Sequence, residues 1–126
     1  MPSTTITDVH TVGIYVSDQE AAVRFFVDRL GFEKRLDAPI GPGMRWIEVA
    51  PRGASTSIAL TLTEEPVEAA ADTGIRFMVP DTYAEHTAMT ERGVNVSEVL
   101  RLEGAPAMYT FDDPDRNRFY VVEEPR

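Results

Sequence analysis

The chain has 126 residues, no cysteine and a net charge of −9, with 43% hydrophobic and 26% charged residues. Those values describe one ordinary domain with enough apolar surface for a core, and they exclude disulfides, thiolate metal sites and cysteine nucleophiles. The acidic balance, with no extended basic cluster, excludes nucleic acid or an anionic membrane surface as the partner.

The N-terminal ten residues have neither a basic start nor an apolar run, so they read as no signal peptide. No apolar stretch approaches the ~20 residues that span a bilayer. The chain is therefore expected to be cytoplasmic and away from membranes.

Residues 9–16 alternate and are rich in β-branched side chains, which predicts a strand. Asp18 or Ser17 caps the helix that follows, with Glu20 placed to suit the helix dipole. Ala22, Phe25, Phe26 and Leu30 fall on one helical face, and Gly31 stops the helix. A short strand is expected over 32–36. Residues 37–43, with two prolines and two glycines, read as a loop. Strands follow at 44–50 and 56–63, separated by a turn at 51–54. Residues 64–72 are acidic and alanine-rich, and read as a linker.

The pattern then repeats. Asp81 stands 63 residues after Asp18, and Gly93 stands 62 after Gly31, half the chain length in each case. A strand is expected over 74–79, a helix from Asp81 to Gly93, a short strand over 94–100, and strands at 107–111 and 118–123 around an Asp113–Asn117 turn. The fold class is α+β: two tandem βαβββ modules, about 8–63 and 73–124. Their curved mixed sheet surrounds a cup, with the helices on the outer face. Neither half can bury its own surface, so the halves associate within one chain or between chains.

Two motifs carry a family resemblance. One is Val16-Ser17-Asp18 followed by Phe25-Phe26 and Leu30-Gly31-Phe32; the other is Asp113-Pro114-Asp115 with Asn117 and Phe119. With the half-length repeat, the chain resembles the vicinal oxygen chelate superfamily. That group contains glyoxalase I, extradiol dioxygenases, fosfomycin-resistance enzymes and bleomycin-binding resistance proteins. The resemblance implies a homodimer, and places four metal-ligand positions in the cup. Here they fall on Thr11, Ala59, Gly74 and Tyr120, which supply no set of carboxylates or imidazoles. No cofactor is therefore expected. His10, one residue off in register, faces away unless a β-bulge near Gly13 re-aims it as a metal ligand.

By alternation, the cup-lining candidates are Thr11, Tyr15, Trp46, Glu48, Ala59, Thr61, Arg76, Met78, Tyr109 and Tyr120. Which faces of the strands bearing Trp46 and Tyr109 look inward stays open. An inward Arg76 suits a carboxylate or phosphate, or else pairs with Glu48 or another acid. Tyr15 and Tyr120 either stack on a planar ligand or fill the core. His86 is expected to be solvated, and the run from Asp112 to Asp115 to be a capped turn. The leading functional expectation is a metal-free protein that binds a small planar or anionic molecule in the cup. A divalent-metal-dependent lyase or dioxygenase of glyoxalase type is the alternative, and a non-catalytic accessory protein the third reading.

Overall fold

The computed structural model describes residues 3–65 and 71–125. Residues 66–70 of the expected linker lie outside them. The first module runs β1 (Thr11–Val16), α1 (Gln19–Arg24), a π-helical turn (Phe25–Arg29), β2 (Glu33–Gly41), β3 (Met44–Ala50) and β4 (Ser57–Leu62). The second runs β5 (Ala71–Val79), α2 (Thr82–Glu91), β6 (Asn95–Val96), β7 (Met108–Asp112) and β8 (Asn117–Glu123). Each module forms a four-stranded mixed sheet, ordered β1-β4-β3-β2 and β5-β8-β7-β6. The outer pairs β1–β4 and β5–β8 are parallel.

Both helices start where the repeat places them. Asp18 and Asp81 have extended backbones, and each accepts from the amide three residues on, at 3.1 Å from Ala21 and 3.1 Å from Ala84. Gly31 and Gly93 end the helical segments with φ of 75° and 77°, the left-handed region that costs a side-chain-bearing residue ~1–2 kcal/mol.

The first helix departs from plain α geometry. The Leu30 amide donates to Phe25 carbonyl at 3.3 Å, a five-residue spacing. The wider turn lets two adjacent aromatics share a face. Phe25 meets Phe111 at 6.4 Å between centroids, and Phe26, fully buried, meets Phe119 at 5.8 Å.

Two loop expectations change. Residues 37–41 belong to β2, so the strand runs on almost to the Pro42-Gly43 turn. Pro39 is tolerated because β2 is an edge strand, with register irregularities at Lys34/Leu36 and Pro39/Gly41. Residues 71 and 72 open β5 instead of closing a linker. The short strand expected over 94–100 shrinks to two residues plus a Leu100–Met108 bridge.

The modules share one core. Ile14, Val16, Phe26, Val49 and Leu60 from the first belong to the same cluster as Met89, Tyr109, Phe111, Phe119 and Val121 from the second. Phe32 packs edge-on against Phe77 at 5.3 Å. The junction is also hydrogen-bonded. Arg29 Nη1 donates to the Arg92 carbonyl at 2.8 Å, and Arg92 Nε donates back to the Arg29 carbonyl.

The Asp113–Asn117 turn closes the other end. Asp113 accepts from the Asp115 and Asn117 amides and from Asn117 Nδ2, at 3.0, 2.8 and 2.9 Å. The turn so built hands Asn117 Nδ2 to the Tyr15 carbonyl at 2.9 Å, and Asp115 accepts from the Ser17 amide and hydroxyl at 3.1 and 2.6 Å. The motif is thus a clasp between modules.

Because strand side chains alternate, the rows carrying Tyr15 and Arg76 are the opposite faces of their sheets from this core. The sheet faces expected to line a common cup are not brought together within one chain.

Candidate functional site

The open face of the first sheet gathers six of the ten candidates. Parallel pairing sets Thr11 beside Ser57, Gly13 beside Ala59 and Tyr15 beside Thr61, and Ala59 in turn faces Glu48. Tyr15 is 65% exposed, whereas Ala59 and Glu48 are only 3% and 7% exposed. The centre of the face is therefore a floor of small residues. A Cβ placed on Gly13 would meet only Thr61 Oγ1, at 3.9 Å.

Glu48 is held from both sides. Trp46 Nε1 donates to one carboxylate oxygen at 2.7 Å, and the Ser57 hydroxyl makes a short hydrogen bond to the other. These donors, Ser57 first, keep the Glu48 pKa below the usual carboxylate range against the opposing effect of burial. The Thr11 hydroxyl is shielded from solvent and has no partner among the described residues. A cleft of about 430 Å³ extends from Trp46, Ala59 and Thr61 to Ile40, Met44 and Leu62.

The second sheet's open face carries Arg76, Met78 and Tyr120. Arg76 and Tyr120 are partners in register, and the guanidinium lies 5.1 Å from the centre of the Tyr120 ring. Arg76 donates to the Gly74 carbonyl at 3.0 Å, and no ion pair with Glu48 forms. The Tyr120 hydroxyl donates to Asp72, which lowers the Asp72 pKa and raises that of Tyr120. Arg118, also on this face, is neutralised by Asp112 at 3.0 Å. A groove of about 440 Å³ runs past Arg76, Met78, Pro106 and Val122. Larger clefts of about 680 and 600 Å³ flank the Asp113–Asn117 turn, outside both open faces.

Tyr109 does not belong to this set. It is 1% exposed, donates to Met89 Sδ at 3.2 Å and meets the His86 ring edge-on at 4.9 Å. It sits on the α2 side of β7 because Phe111 and Tyr109 share the buried face of an alternating strand. Burial accordingly raises its pKa. His86 is half-buried there instead of solvated, bonded to the Ser97 carbonyl at 2.8 Å.

Asp72 was hidden by its place in an apparent linker. The readable signal was Asp72-Thr73-Gly74, in which the aspartate accepts from the Gly74 amide at 2.9 Å.

The four metal positions do not fit a metal. Ala59 and Gly74 carry no donor side chain, Thr11 offers only a hydroxyl, and Tyr120 is already bonded to Asp72. Gly74, at φ 70°, sits in the register irregularity of β5 between Asp72 and Arg76. In β1 the register is continuous from Thr11 to Val16, so no bulge re-aims His10, which is exposed ahead of the strand. No group of three or more His, Cys, Asp or Glu side chains suited to a metal occurs among the described residues. No helix among them is long and apolar enough to cross a membrane.

The model of the Glyoxalase/Bleomycin resistance protein/Dioxygenase superfamily matches residues 8–121. The chain belongs to that superfamily. It is 32% identical over 124 residues to the uncharacterized protein YetH of Bacillus subtilis (strain 168), covering 94% of this chain and 99% of YetH. Among solved structures it resembles a superfamily member from Sphaerobacter thermophilus DSM 20745, at 38% identity and a TM-score of 0.87, covering 96% of this chain and all (100%) of that one. It also resembles TnmS3, an antibiotic binding protein from Streptomyces sp. CB03234, at 31% identity and a TM-score of 0.82, covering 98% and 100%. Membership in this superfamily gives the fold; the chemistry rests on the side chains of the open faces.

Proposed function

We propose that this superfamily member is a metal-free binding protein for a small planar molecule, its cup completed by a second copy of the chain. The observation that carries the reading is the pair of open sheet faces. Each bears aromatic and charged side chains beside a groove of ligand size. Each also leaves large apolar side chains exposed, among them Tyr15 at 65% and Met44 at 58% on the first sheet and Met78 at 65% on the second. Covering one sheet's open face with the other sheet's open face from a second copy buries these side chains and encloses the grooves. Binding of an antibiotic by the similar TnmS3 supports the same use of the fold. Arg76, which has no ion pair among the described residues, offers its guanidinium to an anionic edge of the ligand.

The test is a thermal-shift screen of planar carboxylates, benzoate and naphthoate first, with light scattering in parallel. Wild-type protein is expected at twice the 14.0 kDa chain mass, with stabilisation by these anions that Arg76→Ala loses. Equal shifts in both proteins remove Arg76 from the site. One tightly bound equivalent of Ni, Zn, Mn or Fe per chain overturns the metal-free reading.

A further inference from the structure

Glu48 is the least explained charge in the molecule. It is 7% exposed, yet no lysine or arginine nitrogen pairs with it among the described residues. Its two donors, Ser57 and Trp46, are neutral and stabilise the anion without cancelling it. The cations whose fields reach it, His10 and Arg35, make no ion pair with it: Arg35 bonds Glu33 and the Pro51 and Ala54 carbonyls, and His10 stands exposed ahead of β1.

A carboxylate has about four acceptor sites, and two are used here. A buried anion left without a counter-charge is costly, and the surrounding face is shaped to receive one. Gly13 and Ala59 remove side-chain bulk beside it, the orphaned Thr11 hydroxyl lies next to Ser57 in register, and Trp46 is pinned by its own hydrogen bond to form a flat wall.

We propose that the open face of the first sheet binds its ligand through a nitrogen cation or strongly donating N–H group, seated on Glu48 with the attached ring against Trp46. This rests on the small-molecule reading above and adds the ligand's polarity. The planar compound carries a basic amine or amidine edge toward Glu48, opposite in charge from the edge suited to Arg76. The net charge of −9 draws such a cation toward the protein.

Trp46 is the single tryptophan, so its indole N–H resonance and its fluorescence report this site alone. The experiment titrates the full chain with three probes of one shape: benzamidine, benzamide and benzoate. Benzamidine is expected to shift the Trp46 signal saturably, with an affinity at least about tenfold above benzamide, the size of a charge-assisted hydrogen bond. Glu48→Gln is expected to reduce that advantage to about twofold or less, in protein whose far-ultraviolet circular dichroism matches wild type. If Glu48→Gln does not fold, the three-probe comparison on wild type decides alone. Equal responses to the three probes, or an advantage that survives Glu48→Gln, overturn the assignment. If benzoate binds through Arg76 while benzamidine ignores Glu48, the assignment falls and the small-molecule reading stands. If no probe of any charge binds, both fall.

Discussion

Gly31 and Gly93 provide a controlled pair for measuring the junction between the modules. Both end helical segments in the left-handed region, at φ 75° and 77°. An added Cβ at Gly31 meets nothing within 4 Å, whereas at Gly93 it meets Arg29 Nη1 at 2.8 Å. Alanine at either site incurs the left-handed cost of ~1–2 kcal/mol. At Gly93 it must also displace the Arg29 side chain, which is flexible and moves, but thereby loses its bond to the Arg92 carbonyl. That bond is exposed, so its loss adds only ~0.5–1.5 kcal/mol. Gly31→Ala is therefore expected to cost ~1–2 kcal/mol and Gly93→Ala ~2–3 kcal/mol. In an Arg29→Ala background, the cost of Gly93→Ala should fall to the Gly31→Ala value. Urea unfolding with unchanged m-values measures each term. Equal costs at the two glycines in the wild-type background would refute the argument, since backbone strain would then account for everything.

Two further outcomes follow from the buried polar groups. Burial pushes the Asp113 pKa up to about 6 from 3.8, against the hydrogen bonds from Asn117. The folded state thus holds that proton more tightly than the unfolded chain. The resulting stability is full below pH ~4 and disappears as pH rises through ~6, with a ceiling of ~3 kcal/mol. Urea unfolding of wild type and Asp113→Asn between pH 4.5 and 7 should differ by this slope. The lowered pKa values of Asp37, Glu48 and Asp72 give the opposite slope as pH falls through their ordinary values, and being common to both proteins they cancel in the comparison. Tyr109→Phe should lower stability by less than ~1 kcal/mol, since thioether sulfur is a weak acceptor, and should leave the responses to benzamidine and benzoate intact. A loss of either response would return Tyr109 to the site.

The parts of the fold legible in sequence were those written in local chemistry. Asp18, Gly31, Asp81 and Gly93 mark helix ends because capping and left-handed backbone demand particular residue types. Strand alternation placed Tyr15 and Arg76 on open faces, whereas the face of Trp46 and Glu48 is decided by the pairing of Glu48 with Ala59 between β3 and β4. What local chemistry could not show was the choice of face on β7. Met108, Thr110 and Asp112 alternate with Tyr109 and Phe111, and only packing against Met89 and His86 makes the aromatic pair the buried one. The extension of β2 through Pro39 was hidden for a similar reason, because an edge position excuses a residue that a central strand would reject. Neither the Glu48–Ser57 bond nor the Asn117–Tyr15 clasp has any signal at short sequence range.

The exchange between Arg29 and Arg92 has a geometric consequence. Two arginines 63 residues apart each donate to the other's carbonyl, so the helix end of each module is fastened to that of the other. In the assembly proposed above, one chain is a tethered pair of modules that presents two unlike open sheet faces. When one chain's first-sheet face covers another's second-sheet face, the remaining two faces have two fates. They meet in the same act, closing a ring of four modules with two identical hollows, or they stay open and recruit further chains without end. Closure makes the expected stoichiometry two ligands per two chains, and by mass action ligand that bridges the faces tightens the ring itself.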